Sequence, residues 1–407
     1  MSKWHLATLL GALALAVAQP LNAATDDAII ASLQAQIAAL TQRLDRLESH
    51  SKIPERSYTA PQIAASSDQP STANWTDRIQ LKGDMRYRHE VIDAENSSER
   101  HRQRIRARTE LKAQVNDAVS VGFGLATGGD DPVSTNQTLG NGLSSKSVRI
   151  DLAYFDWVTP IEGLTVTGGK FENPFRRAGG NGLLWDSDLR PEGGAIIFNR
   201  GALTATAVAL WTEESSNDDD SFVLASQFGW RQALGDDVRL LAGVGYYNFV
   251  DTKGEPVFFD GDPRGNSVDA FGNYLFGFEE IEAFAELSFN VADLPVTLFA
   301  DYVRNLDAGD FDTGYAIGGK IKLRAGSRPL QLSYIYQDLE ADAVLGLLTD
   351  SDFVGGGTDG KGHILKVGYA LTNKISLRGT LFLNERGGNL GTEEDYDRLQ
   401  LDVSFKY

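Results

Sequence analysis

The sequence lacks cysteine altogether. This absence suits a chain exported through an oxidising periplasm, where thiols would mispair, although many cytosolic proteins also lack cysteine. The sequence also has no run of about eighteen apolar residues, the length that a membrane-spanning helix requires. If the mature protein lies in a membrane, it therefore has to cross it as a β-barrel.

Positive charge is scarce relative to negative charge. The 38 lysines and arginines are outnumbered by 56 aspartates and glutamates, which gives a formal net charge of −18. Nothing in that balance offsets phosphate repulsion globally, so nucleic acid is not expected as a partner. The 42 glycines, 12 prolines and 42% hydrophobic content instead suit many short strands and turns.

Catalytic motifs are missing as well. The sequence has no GxSxG, no HExxH and no glycine-rich nucleotide loop between a strand and a helix. His89 and His101 flank the first predicted outer loop, where an outer-membrane protease or lipase would place a site, but isolated histidines near an interface are usually ordinary wall residues. The sequence therefore predicts no enzyme, no catalytic residues, no cofactor and no metal site.

The N-terminus has the pattern of a secretory signal peptide. Lys3 and His5 precede an apolar run over residues 6–18, and Pro20 breaks the run shortly before small residues at 21–23. The alternative is an uncleaved anchor, but the run is too short to span a bilayer as a helix. We therefore expect residues 1–23 to be a signal peptide.

Residues 24–50 are expected to form a short helix. Apolar residues there recur at spacings of three and four, as in the seam of a coiled coil: Ile30, Leu33, Ile37, Leu40, Leu44 and Leu47. The alternative is one amphipathic helix that packs on its own domain. Residues 51–74 are rich in Ser, Ala, Pro and Gln and are expected to be a flexible linker.

From Trp75 to Tyr407 the hydrophobic period is two, which is typical of β-strands. From Arg398 to the end, odd positions are apolar or aromatic and even positions are polar or charged. The chain ends on this strand with an aromatic residue, as outer-membrane barrels do. We expect Phe405 and Tyr407 to be the signal that the barrel assembly machinery recognises.

The same period predicts about sixteen strands. They are expected at 78–91, 101–115, 118–128, 147–158, 163–172, 195–199, 202–211, 221–231, 237–249, 278–290, 295–305, 313–324, 329–340, 362–371, 375–385 and 397–407. Every second connection is short, which is typical of periplasmic turns that alternate with longer outer loops. The sequence therefore predicts an all-β fold, a transmembrane antiparallel up-and-down β-barrel over residues 75–407, with the helical segment before it in the periplasm.

Aromatic residues at the strand ends support a membrane location. Trp157 and Trp230 fall at predicted periplasmic ends, whereas Tyr87, Trp211 and Tyr246 fall near outer ends. Aromatic girdles at both interfaces are typical of outer-membrane barrels. We therefore expect the outer surface to contact outer-membrane lipid and lipopolysaccharide; the alternative is a large soluble β-protein.

One face of two neighbouring strands carries a ladder of basic residues. Its members are Lys82, Arg86, Arg88, Arg102, Arg104, Arg106, Arg108 and Lys112. Basic side chains face lipid only at high cost near the bilayer midplane, so this ladder is expected to line a pore and to attract anions. The alternative is a solvated wall in which Asp84, Glu90 and Glu110 pair with the ladder.

The third predicted outer loop, residues 172–194, is unusually apolar. It contains Trp185 and other apolar residues that would be a liability if exposed, so we expect it to fold into the barrel. Its charged residues would then set a transverse field at a constriction: Glu172, Arg176, Arg177, Asp186, Asp188, Arg190 and Glu192. The alternative is an outer loop packed on its neighbours. The other outer loops are acidic, and Asp350 and Asp352 are expected at solvated tips.

Several stretches of the predicted barrel resemble the proteobacterial "putative porin" family of outer-membrane proteins. The resemblance rests on GDMRYRHE (83–90), RHRQRIRARTELKAQVND (100–117), VSVGFGLATGGDDPVSTNQTL (119–139), IDLAYFDW (150–157), GGKFENPF (168–175) and WDSDLRPEGG (185–194). It covers roughly residues 75–407 and implies an outer-membrane channel with an N-terminal coiled segment. By analogy with porins of this size, it implies a homo-oligomer, in particular a trimer.

The expected function is passive diffusion of small hydrophilic solutes or ions, with a preference for anions if the ladder lines the pore. The alternative is an envelope-anchoring barrel whose periplasmic coil docks a cell-wall component or partner protein. Deleting residues 26–50 separates the two, because a channel would still conduct. A sugar-specific channel would need a continuous aromatic path, and Trp185, Phe299 and Phe382 are too few to form one.

Overall fold

The computed structural model describes residues 78–214 and 220–407. The predicted signal peptide, coiled-coil helix and linker, residues 1–74, lie outside the described residues. Within the described ranges, no helix is long and apolar enough to cross a bilayer.

Sixteen strands form the body of the protein. They are β1 (Ile79–Ala94), β2 (Arg100–Gln114), β3 (Val119–Thr127), β4 (Val148–Val158), β5 (Leu164–Lys170), β6 (Glu192–Arg200), β7 (Leu203–Glu213), β8 (Ser221–Ala233), β9 (Arg239–Val250), β10 (Phe278–Val291), β11 (Leu294–Asn305), β12 (Thr313–Ala325), β13 (Arg328–Leu339), β14 (Gly360–Ala370), β15 (Ile375–Arg386) and β16 (Glu394–Lys406). A two-residue strand, Gln137–Thr138, adds to β2 from the loop after β3.

The strands close into one antiparallel barrel. Each strand pairs with its neighbour in sequence, and β1 pairs with β16 from Asp84 opposite Lys406 to Ala94 opposite Tyr396. The predicted all-β antiparallel barrel of about sixteen strands is therefore confirmed. The strand expected at 195–199 is longer than the pattern indicated, since β6 begins at Glu192 and continues through two glycines that carry no hydrophobic signal.

The barrel has its polar face inside. On β16, Arg398, Gln400 and Asp402 are buried, whereas Leu399 and Leu401 between them are exposed on the outer surface. A soluble barrel shows the opposite distribution. An apolar exterior and a polar interior are expected for a barrel in lipid.

Tight turns join the strands at one end of the barrel. The β10–β11 turn consists of Ala292 and Asp293, which both have positive φ values of 47° and 65°. Two such residues in succession are the signature of a type I′ hairpin, whose twist matches that of the strands. The opposite end carries the longer connections, which include loop 2 (residues 128–147), loop 3 (171–191), loop 5 (251–277) and loop 7 (340–359).

The apolar core of the protein lies inside the barrel, not in its wall. Trp185 of loop 3 stacks on Phe175 with ring centroids 5.4 Å apart and meets the inward-facing Tyr247 of β9 edge-on at 5.3 Å. Leu345 and Phe353 of loop 7 belong to the same buried cluster. Loops 3, 5 and 7 therefore pack against the inner faces of strands from β6 to β15 and fill part of the interior.

The barrel wall has a notch between β4 and β7. The last pair between β4 and β5 joins Ala153 to Lys170, yet β4 continues to Val148, where it is paired with β3 and its other edge is free of β5. Across the gap, β6 and β7 pair only as far as Gly193 with Leu210. Loop 3 enters the barrel here, and a cavity of about 870 Å³ lies in the gap.

Candidate permeation pathway

The predicted basic ladder lies on the inner face of β1 and β2, beside β16. In register, Arg88 is opposite Arg104 on one side and Asp402 on the other. The Nε of Arg88 lies 2.7 Å from Asp402 Oδ1, and its Nη1 lies 2.9 Å from Asp352 Oδ2 of loop 7. The repulsion expected between two facing arginines is thus offset by carboxylates from β16 and a loop.

Arg106 and Arg108 share two carboxylates in the same way. The two guanidiniums lie 2.9 and 3.0 Å from oxygens of Asp84, and 3.2 and 3.1 Å from Asp188 Oδ1 of loop 3. Burial alone would raise the pKa of Asp188, but the two guanidiniums lower it to about 2. Asp188 is therefore ionised under ordinary conditions and ties loop 3 to the wall.

Glu90 is the centre of a third group. Its carboxylate is fully buried, accepts a hydrogen bond from Arg398 at 2.6 Å, and forms ion pairs with Arg102 at 2.5 Å and Arg104 at 3.6 Å. Arg398 also lies 2.7 Å from Asp352. With Arg88 and its partner Asp402 included, four guanidiniums share three carboxylates, so this group retains positive charge.

The lysines at the turn end of the ladder are paired too. Lys82 lies 2.8 Å from Glu110, and Lys112 lies 2.7 Å from Asp156. Arg86 is the exception, since its nearest carboxylate, Asp402, is 4.0 Å away. The inner face of β1, β2 and β16, here called the arginine wall, is therefore largely a set of ion pairs.

A second basic surface, the lysine wall, lies on β12, β14 and β15. It consists of Lys320, Lys322, Lys366 and Arg378, which point inward in alternation with lipid-facing residues. Lys322 and Arg378 are exposed although they face the interior, and Lys320 and Lys366 are partly exposed. No carboxylate of residues 78–214 or 220–407 forms an ion pair with any of the four.

The register explains why the three lysines stay unpaired, whereas Arg378 lies opposite Asp402, whose carboxylate is held by Arg88 at 2.7 Å. The residues between the lysines on β13 are neutral, since Ser333 lies opposite both Lys320 and Lys366, and Gln331 lies opposite Lys322. Sequence reasoning missed this surface because each strand carries only one or two of its cations. Aligning the predicted strands in register would have brought them together.

Loop 3 crosses the interior and is held by polar groups of the opposite wall. The backbone N–H of Arg176 donates to Gln227 Oε1 at 2.8 Å, and that of Gly179 donates to Glu286 Oε1 at 3.2 Å. Asn181 Nδ2 donates to Asp301 Oδ2 at 2.7 Å. The loop therefore runs from β5 to β10 and β11 before Asp188 returns it to the arginine wall.

Gly179 permits the closest approach of loop 3 to the wall. Its φ is +58°, and a Cβ at this position would lie 2.2 Å from the ring of Phe299. A side chain is therefore excluded both by backbone conformation and by space.

Loop 7 also folds inward, which the sequence interpretation did not anticipate. Asp350 and Asp352 were expected at a solvated tip, but Asp352 pairs with arginines of the wall and Asp350 is enclosed by loop 3. The backbone of loop 7 is bonded to loop 3, with Asp350 N–H donating to Gly182 O at 3.1 Å and Asp186 N–H donating to Leu348 O at 2.8 Å. The apolar residues of loop 7, such as Phe353, were the available signal, since the same argument applied to loop 3.

Two aspartates meet where loops 3 and 7 join. Asp186 Oδ2 accepts the Ser351 N–H at 2.8 Å. Burial raises the pKa of Asp186 well above its usual range, and the charge of Asp350 raises it further. Burial likewise raises the pKa of Asp350, with the charge of Asp352 as the second cause. The contact between the two loops thus favours the protonated carboxyl groups.

The remaining predicted loop residues are scattered. Glu172 is exposed, and Arg176 lies 3.4 Å from Glu286. Arg190 is near Asp151 at 3.6 Å, while Glu192 starts β6 and pairs with Lys170 at 2.8 Å, beside the notch.

Arg177 is partly buried above the lysine wall, and its Nη1 donates to Trp185 O at 3.3 Å. At the end of the chain, Phe405 and Tyr407 are exposed on the outer surface, and the Tyr407 N–H donates to Gly83 O at 3.1 Å.

Comparison with known structures identifies the same architecture. The chain is similar to the high-pH structure of Pseudomonas putida OprB, with a TM-score of 0.57, 13% identity, and coverage of 82% of this chain and 95% of that chain. At this identity the likeness shows the fold alone. No curated protein sequence matches the chain.

More distant likenesses include two other outer-membrane proteins. A substituted porin of Rh. blastica has a TM-score of 0.47 at 13% identity, covering 81% of this chain and 100% of that chain. A loop-deletion mutant of OmpT from Vibrio cholerae has a TM-score of 0.46 at 12% identity, with the same coverages of 81% and 100%. Neither is near enough to carry an argument.

The family assignment comes from the sequence itself. A family model described as "Putative porin" matches residues 91–261 and 278–407, which is most of the chain and nearly all of the barrel. Family and fold point to a channel and not to an enzyme. The chain belongs to this putative porin family, and its closed barrel is that of an outer-membrane porin channel.

Proposed function

We propose that the protein is a passive diffusion channel for small hydrophilic solutes that favours anions. One observation carries the proposal: Lys320, Lys322, Lys366 and Arg378 face the interior, reach water and have no carboxylate partner among the described residues. Fixed cations on a pore wall raise the local concentration of anions and repel cations.

The arginine wall contributes less to this preference than its number of cations suggests. Arg106 and Arg108 each lie within 3.2 Å of a carboxylate oxygen, so a passing ion meets dipoles there and not free charges. Their field falls off faster with distance than that of an unpaired lysine. At physiological salt, screening over about 8 Å weakens it further.

The packing of loops 3 and 7 supports a narrow channel. These loops bury their apolar residues against the inner faces of β6 to β15, and their Asp188 and Asp352 pair with arginines of β1 and β2. A solute that crosses the barrel therefore meets charged side chains on a narrowed path, and small size and charge become the selecting properties.

Planar-bilayer recording of the refolded protein across a KCl gradient tests the proposal. The expected result is stable open steps and a reversal potential whose sign shows that chloride is more permeant than potassium. A correctly inserted barrel that gives no steps would contradict the channel and favour the anchoring alternative. Steps with a preference for potassium would support the channel proposal but contradict the proposed preference for anions.

We infer that the barrel functions as a homo-oligomer, with a trimer as the expected state by analogy with porins of this size. The notch supports this inference, because β4 from Val148 to Leu152 and β7 beyond Leu210 present strand edges without a neighbouring strand. Unpaired backbone groups facing lipid are costly, and a second copy would cover them. Native mass spectrometry of the detergent-extracted protein tests this, and a strictly monomeric species would contradict it.

The surroundings of the barrel follow from the same topology. We propose that the apolar exterior contacts outer-membrane lipid and lipopolysaccharide, and that Phe405 and Tyr407 are recognised by the assembly machinery. Because the number of strands is even, the first strand starts and the last strand ends on the side of the tight turns. Residues 24–50 would therefore lie in the periplasm. Deletion of residues 26–50 is expected to leave conductance intact, whereas an envelope anchor would lose its envelope phenotype.

A further inference from the structure

A cavity with an unusual number of arginines opens at the loop end of the barrel. It has a volume of about 370 Å³ and lies between β1, β2, β15, β16 and loops 2, 5 and 7. Six arginines line it: Arg100, Arg102, Arg104, Arg264, Arg386 and Arg398. This outer arginine pocket lies at the opposite end of the interior from the lysine wall.

The six arginines of the pocket exceed the carboxylates around them by one: Asp131 lies in the lining, and Glu90, Asp260, Asp352 and Glu394 are ion-pair partners. Arg102 and Arg104 have Glu90 as their carboxylate partner, and Arg398 is shared between Glu90 at 2.6 Å and Asp352 at 2.7 Å. Arg100 forms no ion pair within the described ranges, and the closest carboxylate oxygen to Arg104 is 3.6 Å away. The pocket therefore retains positive charge in a place where its guanidiniums are fixed by β-strands.

Two more of the arginines are each held by one carboxylate, and Arg386 also donates to the Val354 carbonyl at 3.2 Å. Arg386 donates through Nε to Glu394 Oε1 at 2.7 Å and lies 4.7 Å from the ring centroid of Tyr396. Arg264 of loop 5 pairs with Asp260 at 2.7 Å. Both guanidiniums are thus positioned on the pocket with some of their N–H groups still free to donate.

Three donors around the pocket are buried without a hydrogen bond. They are the Nε groups of Arg102, Arg104 and Arg264, each shielded from solvent in the described part of the chain. A buried donor without a partner costs about 1–3 kcal/mol, so native proteins seldom retain one unless an ion, a water or a ligand satisfies it. The Nη groups of Arg104 are not shielded in this way and form no hydrogen bond within the described residues, so they are available to an anionic oxygen in the pocket.

The remaining lining suits a small organic anion. Ser97, Ser98 and Ser134 provide hydroxyl groups, and Ile92 and Ala94 provide a short apolar surface. The volume is at the lower end of the range for small-molecule sites, about 300–1,000 Å³. Guanidinium groups recognise carboxylate and phosphate oxygens in pairs, which a monovalent ion such as chloride does not exploit.

We propose that the outer arginine pocket binds small organic dianions, either dicarboxylates or phosphomonoesters, before they enter the pore. Arg100 and Arg104 provide the unpaired charge, and the other arginines orient the ligand. This inference rests on the proposed anion channel and names the class of solute that the channel takes up.

Isothermal titration of the full chain in detergent tests the pocket without reference to conduction. The probes are succinate, glycerol phosphate and, as a neutral control, glucose. Saturable binding of at least one dianion and none of glucose is expected. Because charge-assisted hydrogen bonds to arginine are strong, the double variant R100Q/R104Q should bind the dianion at least about tenfold more weakly. Binding by only one of the two dianions would identify the class.

A second variant guards against misfolding. Ser98 is exposed on the pocket rim, so S98D adds a negative charge without removing a buried partner and should also weaken binding several-fold. The matched control is Arg200→Gln at a periplasmic turn, where an exposed pair with Glu162 at 2.9 Å is removed and no change in binding is expected.

Recordings in planar bilayers separate the two proposals. If the channel conducts with an anion preference but the dianions do not bind, or bind equally to R100Q/R104Q and S98D, the pocket proposal is overturned alone. If no open steps appear, but the dianions bind and the variants weaken that binding, the channel proposal fails and the pocket remains supported as a binding site.

Discussion

The arginine wall and the lysine wall lie on neighbouring parts of the same barrel, since β15 pairs with β16, and they differ in how their charges are used. Arg88 and Arg398 are only 4% and 2% exposed and lie within 2.9 Å of carboxylates from other strands and from loop 7. Lys322 and Arg378 are exposed and have no such partner. The number of cations on a wall therefore does not give its field, because the residues across the register decide how much charge is left.

The two walls are expected to have different roles for this reason. Buried ion pairs fix the positions of the groups that form them, and breaking one leaves an uncompensated charge in a poorly hydrated place. Exposed cations in water add little to stability but act on ions that pass within a few ångström. The arginine wall should thus govern stability and loop position, and the lysine wall should govern ion preference.

The largest effect is expected from Arg398→Met. This change leaves Glu90 and Asp352 without the guanidinium that contacts them at 2.6 and 2.7 Å. Loss of one partner of a buried ion pair costs about 3–5 kcal/mol, so unfolding by guanidinium chloride in detergent should occur at clearly lower concentration. The control Arg200→Met removes an exposed pair and should cost less than about 1 kcal/mol. Equal losses of stability in Arg398→Met and Arg200→Met would contradict the claim that the buried ion pairs contribute more to stability than the exposed one.

The next effect concerns ion preference. Replacing Lys320, Lys366 and Arg378 by Gln removes three unpaired charges, which should lower the chloride-to-potassium permeability ratio by roughly fivefold, equivalent to on the order of 1 kcal/mol. Stability should hardly change. The matched control is Lys361→Gln at the loop end, whose Nζ already lies 2.9 Å from Glu385. A shift of similar size in the control would argue against a special role of the lysine wall.

A smaller effect is expected where loop 3 touches the wall. Gly179→Val places a side chain against Phe299 in a left-handed backbone conformation, and overpacking of this kind costs about 1–3 kcal/mol. The tip should move away from β11, and single-channel conductance should change in consequence. Gly368→Ala is the control, since no atom lies within 4 Å of its added Cβ. Unchanged conductance together with unchanged stability would show that the tip does not restrict the path.

The smallest effect is a dependence of the loop 3–loop 7 contact on pH. The raised pKa values of Asp186 and Asp350 mean that the contact takes up protons as it forms. It should therefore strengthen as pH falls from the raised values toward about 4, the ordinary value for Asp, and weaken as pH rises. Asp188, with its pKa near 2, stays ionised throughout this window.

Conductance and hydrogen exchange against pH provide the measurement. Backbone amides at the junction, such as that of Ser351, should exchange more slowly near pH 4.5 than at pH 7 after correction for the intrinsic rate. Asp186→Asn should flatten this dependence. A wild-type profile that is already flat would contradict the role assigned to the two carboxyl groups.

Much of the fold follows from the sequence because the strands of a lipid-exposed barrel alternate between apolar outward and polar inward residues. Period-two alternation, as on β16, gave the strands, and short connections at every second position gave the topology. The inward fold of loop 3 was predictable from Trp185 and its apolar neighbours. That of loop 7 was not predicted, because the charges of Asp350 and Asp352 indicated a solvated loop although Phe353 is apolar.

The pairing of the arginine wall could not be predicted from local sequence. Glu90 and Arg398 are separated by 308 positions and meet only because β1 closes on β16. The lysine wall has the same origin, since Ser333 separates Lys320 and Lys366 only in the register of three strands. Charge balance on a barrel wall is a property of the closed sheet, and single strands do not contain it.

The most direct test compares two sets of substitutions by reversal potential in the same KCl gradient. The first removes matched ions from the arginine wall through four changes: Asp84→Asn, Asp188→Asn, Arg106→Gln and Arg108→Gln. The second removes two unmatched cations through Lys320→Gln and Lys366→Gln. The first set should leave the chloride preference of the wild type nearly unchanged, and the second should reduce it markedly. A loss of preference in the first set with none in the second would contradict the account.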